Sequence, residues 1–134
     1  MARILVVDDD ARVLTICRRF FQKSNAAGLT LAVDEASSGE EALALLESRA
    51  YDCVLSDFYM GAISGIDVLE RVKRLQPSCV RLLMSFDADP VILQRAANRA
   101  SIHDFIEKPI GAEAFEETLR LCVSEPFLPG GVAS

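Results

Sequence analysis

No dense run of lysine or arginine occurs anywhere in this sequence, and 20 acidic side chains outnumber 14 basic ones, for a formal net charge of −6. Surfaces that bind nucleic acid or anionic membranes reward the opposite balance, so direct contact with either is not expected. No apolar stretch approaches the roughly 20 residues needed to span a bilayer. Three consecutive aspartates, Asp8 to Asp10, interrupt the first apolar run, which argues against a secretory signal. Cysteine is sparse and scattered: Cys17, Cys53, Cys79 and Cys122 form no CxxC pair, and His103 is the lone histidine. Zinc would need clustered ligands, so the cysteines read as small buried hydrophobes with free thiols, suited to a reducing cytoplasm. A Walker loop, a GxGxxG and a hydroxyl-rich phosphate loop for flavin are all missing.

What is present fits one globular domain: 134 residues, 51% hydrophobic and 25% charged, enough for a core without staples. Arg3 to Val7 is a β-branched run short enough for a strand covered on both faces. From about Ala11, Val13, Cys17, Phe20 and Phe21 recur at helical spacing until Asn25 to Gly28 breaks the pattern. Leu29, Leu31 and Val33 then alternate with Thr30 and Ala32 as a second strand. Ser38 and Glu41 spell a capping box, opening a helix with Leu43 and Leu46 on its apolar stripe. Tyr51 to Ser56 is a third strand ending at Asp57, and a helix from about Gly65 follows. That helix gathers Val68, Leu69, Val72 and Leu75 on one face, and Pro77 closes it. Val80 to Ser85 is a fourth strand, and Asp89-Pro90 caps a helix to about Ala100. His103 to Glu107 is a fifth strand, and Phe115, Leu119 and Cys122 mark a last helix from about Ala112 to Ser124. Residues 1–124 thus form the domain, and 125–134, with two prolines and two glycines, read as a tail or the start of a linker. Five strands alternating with five helices predict an α/β fold, a parallel sheet between helix layers joined by right-handed crossovers.

In such a sheet, ligands gather beyond the carboxyl ends of the strands, where strand order reverses. The first strand ends at Asp8 and Asp9, the third at Asp57, the fourth at Ser85 and the fifth at Lys108; Asp34 and Glu35 end the second with no evident aim. If the first and third strands are neighbours, three carboxylates converge. Bare, they would repel, but with a hard divalent cation, Mg²⁺ (or Mn²⁺), they make an oxygen nest ready for a phosphoryl group. Lys108 and Ser85 would serve the same anion, and one carboxylate can itself be the nucleophile, giving an aspartyl phosphate. Asp10 reads as the cap of the first helix, Arg71, Lys73 and Arg74 as the wet face of the third, and His103 as a surface or packing residue.

The stretches VVDDD, LSDFYMGAISG, LLMS and FIEKP, in this order and at strand ends, resemble the receiver domain of bacterial two-component response regulators, from about Arg3 to Ser124. The resemblance implies a flavodoxin-like, doubly wound (βα)5 three-layer sandwich with strand order 2-1-3-4-5. It implies that Asp57 accepts a phosphoryl group from a sensor histidine kinase or phosphotransfer protein. Asp9 and Asp57 would hold Mg²⁺ directly, Asp8 mainly through water, and Tyr59 would lend its backbone carbonyl. Ser85 and Lys108 would contact the phosphate. Ser85 and Phe105 would form the switch, the ring turning inward to reshape the face of the fourth helix, fifth strand and fifth helix for a partner or output domain. The Lys108–Pro109 bond would be cis. The same resemblance implies a cytoplasmic protein, with no enzymatic activity beyond its own phosphotransfer and autodephosphorylation, and leaves room for a phosphorylation-dependent homodimer.

Some positions depart from the family pattern. Gly61 stands where proline is usual, Phe105 where tyrosine is more frequent, and Phe86 where a small residue is usual; NRASIHDFIEKP runs slightly long. With Tyr59, Phe86 would modulate access of water or small phosphodonors. These departures leave a rival reading, a receiver-like interaction module that works without phosphorylation. A haloacid-type phosphatase is disfavoured, because Tyr59 stands where that enzyme needs an acid. No output domain fits in the residues after the last helix, so the expectation is a protein that works alone or one continued by a linker.

Overall fold

The computed structural model describes residues 2–121, which alternate strictly between strand and helix. The elements are β1 (Ala2–Val7), α1 (Ala11–Ala26), β2 (Leu31–Ala36), α2 (Gly39–Ser48), β3 (Cys53–Asp57), α3 (Gly65–Leu75), β4 (Val80–Ser85), α4 (Pro90–Ala100), β5 (Asp104–Glu107) and α5 (Ala112–Leu119). The strands form one sheet in the order β2-β1-β3-β4-β5, every neighbouring pair parallel. The parallel sheet is the one that the alternation predicts, and its doubly wound order is the one that the resemblance implied.

The pleat sorts the strand side chains into two cores. Ile4, Val6, Leu55, Leu82 and Met84 pack with Cys17 and Phe21 of α1 and Phe115 and Leu119 of α5. Leu5, Val7, Val54 and Leu83 point the other way, onto α2, α3 and α4. Each fully buried side chain of this size contributes about 1.5–3 kcal/mol. On the first face Phe20 stacks on Phe115 at 4.7 Å, and Phe21 meets the same ring edge-on.

Several boundaries differ from the sequence reading for local reasons. α1 runs to Ala26, and Asn25 then grips Leu31 through both backbone groups, accepting from its N–H at 2.8 Å and donating to its carbonyl at 3.2 Å. Residues 27–30 become the turn, so Leu29 is exposed and the strand starts at Leu31. Leu75 also faces solvent rather than the core. Ser38 caps α2 as expected, but Glu41 accepts from the N–H of Ser37, not from that of Ser38. The reciprocal box occurs instead at α3, between Ser64 and Asp67.

Cys17 and Cys79 are free and buried. Cys53 is disulfide-bonded, which corrects the reading of four free thiols. Spacing along the chain cannot reveal such a bond, because only closeness of two Cβ atoms in space permits it. Cys122, the end of the expected last helix and the tail lie outside the described residues.

Candidate functional site

Register decides which side chains share the carboxyl edge. Val7 lies opposite Ser56, so Asp8 and Asp57 are the next pair outward between β1 and β3, where strand order reverses. Ser85 lies opposite Glu107, which puts Lys108 just beyond it at the same edge. Backbone hydrogen bonds hold these ends in place: Phe58 N–H donates to Met84 O at 3.0 Å, and Lys108 N–H donates to Ser85 O at 2.9 Å. Gly65 completes the floor. A Cβ there would collide with the carbonyl of Asp57, so only glycine lets α3 begin directly against the end of β3.

Lys108 Nζ lies 2.7 Å from Asp8 Oδ2 and 2.9 Å from Asp57 Oδ1. Asp8 is fully buried, Asp57 and Lys108 are nearly so, and Asp9 is exposed. One carboxylate oxygen from each of Asp8, Asp9 and Asp57 falls within 4.8 Å of the others. Burial raises the pKa of Asp57; Lys108 partly offsets this, and the charges of Asp8 and Asp9 push it up again. Burial alone would lower the pKa of Lys108, but the carboxylates of Asp8 and Asp57 reverse that and hold it above its usual value. The lysine is therefore an ammonium.

One cation faces three carboxylates, and the balance is incomplete. Asp8 Oδ1 accepts from the backbone N–H of Asp10 at 2.9 Å. Asp8 Oδ2, close as it is to Lys108, accepts no well-aligned hydrogen bond from the described residues. Asp8 shares that one close cation with Asp57, so the cluster carries more negative charge than Lys108 balances. All-oxygen donors at this spacing fit a hard divalent cation.

The remaining site residues fall around this cluster. Ser85 is buried, and its Oγ accepts from the N–H of Asp87 at 3.2 Å. Phe105 is half-buried against the core under α2, α3 and α4. The Tyr59 ring is exposed and meets Phe58 edge-on. Phe86 is also exposed, and its ring lies 5.3 Å from Lys108 Nζ. The Lys108–Pro109 peptide is cis, and Gly61 has φ +83°, which the fixed negative φ of proline cannot reach. Asp10 caps α1, accepting from the N–H of Arg12 at 2.9 Å. Asp34 and Glu35 do not join the site: Asp34 is held by the Tyr51 hydroxyl at 2.7 Å and by Arg49, Glu35 by the fork of Arg18.

Arg81 is a buried group that the sequence reading passed over. Its Nε donates to Ala100 O at 2.9 Å, and its Nη1 donates to Pro77 O and Cys79 O at 3.0 Å each. The available signal was alternation within VRLLMS, which puts Arg81 on the same face as Leu83 rather than in solvent.

Comparison with known proteins places this geometry in context. A family model described as the response regulator receiver domain matches residues 4–120. The hydrogenase transcriptional regulatory protein HoxA of Cupriavidus necator is 30% identical over 129 residues, covering 96% of this chain and 26% of its own length. The transcriptional regulatory protein ResD of Bacillus subtilis is 31% identical over 107 residues, covering 80% of this chain and 42% of its own. The chain thus spans less than half the length of these curated relatives. Among solved structures, the signal receiver domain of an HD domain-containing protein from Pseudomonas fluorescens Pf-5 superposes with a TM-score of 0.83 at 26% identity. That match covers 92% of this chain and 87% of the other.

Proposed function

This chain belongs to the response regulator receiver domain family of two-component systems, and on that premise we propose that it is a phosphorylation switch whose acceptor is Asp57. The observation that carries the reading is a buried Asp57, 2.9 Å from Lys108 and within one ion's reach of Asp8 and Asp9. The donor is a phosphohistidine on a sensor kinase or phosphotransfer protein. A carboxylate oxygen of Asp57 attacks phosphorus; the P–N bond breaks, and the imidazole leaves with the electron pair. In this reading the Lys108 ammonium offsets the charge that builds on the phosphoryl oxygens, and the Ser85 hydroxyl donates a hydrogen bond to one of them. Asp8, Asp9 and Asp57, with the Tyr59 carbonyl, would hold Mg²⁺, which when bound supplies further neutralisation of those oxygens. Water attack on the acyl phosphate restores the carboxylate and releases phosphate, so the cycle needs no separate substrate.

Output follows from what Ser85 gives up. Its Oγ accepts a long hydrogen bond from Asp87 N–H, one that it can loosen as its own O–H turns to donate to a phosphoryl oxygen. That turn draws the start of the β4–α4 loop toward the site, and Phe105, half-buried on the neighbouring strand opposite Leu83, follows. Phosphorylation then shifts an existing equilibrium of the α4–β5–α5 face rather than creating a new fold. HoxA and ResD are named as transcriptional regulators and extend well beyond the matched segment, which supports an output domain or separate effector as the partner of that face.

Incubation with Mg²⁺ and acetyl phosphate, or with the cognate kinase, is expected to add the mass of one phosphoryl group, and Asp57→Asn to abolish the gain. Equal incorporation by the asparagine variant would show that the acceptor lies elsewhere. A wild-type chain that gains no mass from either donor would favour the phosphorylation-independent interaction module.

A further inference from the structure

Gly39 opens α2 and is buried, and its own backbone does not ask for glycine: it sits inside a helix, where alanine is the better former. The reason lies across the fold. A Cβ on Gly39 would fall 2.6 Å from the Cβ of Ile63 and 3.0 Å from its carbonyl oxygen, against the roughly 3.5–4.0 Å at which carbon atoms pack. Ile63 belongs to the loop between β3 and α3, and its half-buried side chain packs on the core under α2, α3 and α4. Because its Cβ is fixed to the backbone, no change of rotamer relieves that overlap; the loop itself must shift. The helix does not shift as readily. It is capped by Ser38, tied back through Glu41 to Ser37 N–H at 2.6 Å, and seated by the fully buried Ala42. The loop, by contrast, is open at Gly61, where a Cβ would meet nothing within 4 Å.

We infer that Gly39 is a positioning residue for the phosphoryl site: lacking a side chain, it lets Ile63 seat the β3–α3 loop on α2, and so sets the path of the segment that carries the Tyr59 carbonyl. The inference rests on the reading of Asp8, Asp9, Asp57 and that carbonyl as the Mg²⁺ site. The loop is pinned at both ends. Phe58 N–H donates to Met84 O at 3.0 Å, and Gly65 N–H returns to Phe58 O at 3.0 Å. Gly65 also sits hard against the carbonyl of Asp57, so that end has no room to give. A displacement of Ile63 is therefore absorbed by residues 59–62, Tyr59 among them. An octahedral Mg²⁺ site tolerates little of this, and the support of a ligand then matters nearly as much as the ligand.

The test is the dissociation constant for Mg²⁺, by calorimetric titration with MgCl₂, at a temperature where thermal melts show each chain folded. Gly39→Ala is expected to weaken binding about tenfold, the lower end of the loss that follows when a ligand's support is removed. Ile63→Gly, which takes the anchor off the loop, is expected to cost as much. The two together are expected to cost about tenfold again rather than about a hundredfold, because with no Cβ on residue 63 the new methyl meets little. Hydrogen exchange should report the change at residues 59–63, with α2 protected as in wild type. A chain that is merely less stable would keep its Mg²⁺ affinity while folded. Unchanged affinity in Gly39→Ala, or losses that multiply in the double variant, would overturn the inference alone. Should Gly39→Ala not fold, Ile63→Gly and the double variant decide in its place: unaltered affinity in the first, or a further loss in the second, overturns it. A wild-type chain that binds no Mg²⁺ would overturn it together with the reading of the metal site.

Discussion

Two buried cations sit at opposite edges of this sheet, and their surroundings differ in kind. Lys108, beyond the carboxyl end of β5, faces anions: Asp8 and Asp57 within 2.9 Å, with Asp9 in the same cluster. Arg81, near the amino end of β4, is held among the described residues by neutral carbonyls. Its guanidinium takes the carbonyls of Pro77, Cys79 and Ala100, with longer contacts to Ser101, and so clamps the end of α4 to the turn before β4. The end of α4 is a fitting place for a cation, because the last carbonyls of a helix carry its negative pole. Burial holds the pKa of Arg81 below its usual value, whereas the carboxylates hold that of Lys108 above its own. The lower edge is compensated by groups that cannot leave. The upper edge holds more anion than one ammonium can satisfy, and a fold leaves that kind of imbalance where chemistry happens.

The comparison can be broken hardest at Lys108. Lys108→Met strands two buried carboxylates and is expected to cost about 3–5 kcal/mol of stability in urea unfolding with EDTA present. The loss should be reversible in two ways. Magnesium chloride would supply the missing positive charge and recover most of it. Acid would do the same, with a sign set by Asp57. Its pKa is raised on folding, so the folded chain binds that proton more tightly than the unfolded one, and the penalty sets in as pH climbs from the ordinary 3.8 through Asp57's own value. A deficit in Lys108→Met that neither Mg²⁺ nor lower pH reduces would put the two edges on the same footing.

Arg81→Met should cost somewhat less, about 2–3 kcal/mol, because it leaves carbonyls rather than charges without partners and some of these can reach water. Neither Mg²⁺ nor acid has a counter-charge to supply here, so the loss should persist in both. Hydrogen exchange should locate it at the end of α4 and the turn before β4, with the acidic cluster unaffected. Rescue by Mg²⁺ would mean that the edges communicate through β4 more strongly than the contacts indicate.

The same contrast explains what was legible in the sequence. Asp8, Asp9, Asp57, Ser85 and Lys108 could be assembled on one edge because each ends a strand, and strand ends follow from local periodicity and a parallel order. The caps at Asp10, Ser38 and Asp89 were likewise local. What escaped depends on contacts between distant segments. Arg81 reads as an ordinary charge within VRLLMS until the end of α4 arrives over it. The bond at Cys53 and the grip of Asn25 on Leu31 have the same origin. Even Glu41, correctly tied to a helix start, chose the N–H of Ser37 over that of Ser38, a choice set by the path of the chain before the helix.

The smallest effect belongs to the other end of the strand that carries Arg81. Ser85 is as buried as its neighbours, yet its Oγ accepts a single backbone hydrogen bond at 3.2 Å, near the long limit for such a contact. Ser85→Ala removes one neutral acceptor and leaves only the partly exposed N–H of Asp87 to find water, so the unphosphorylated chain should lose about 0.5–1.5 kcal/mol at most. Arg81 could not be re-aimed at so little cost, since three carbonyls would have to be abandoned together. A hydroxyl held this weakly can be turned toward a new oxygen beside Lys108 without disturbing the strand that bears it. Thermal melts of Ser85→Ala and Arg81→Met under the same conditions test the point. A drop in Ser85→Ala as large as that in Arg81→Met would mean that Ser85 is fixed structure, as the arginine is, and not a group free to move.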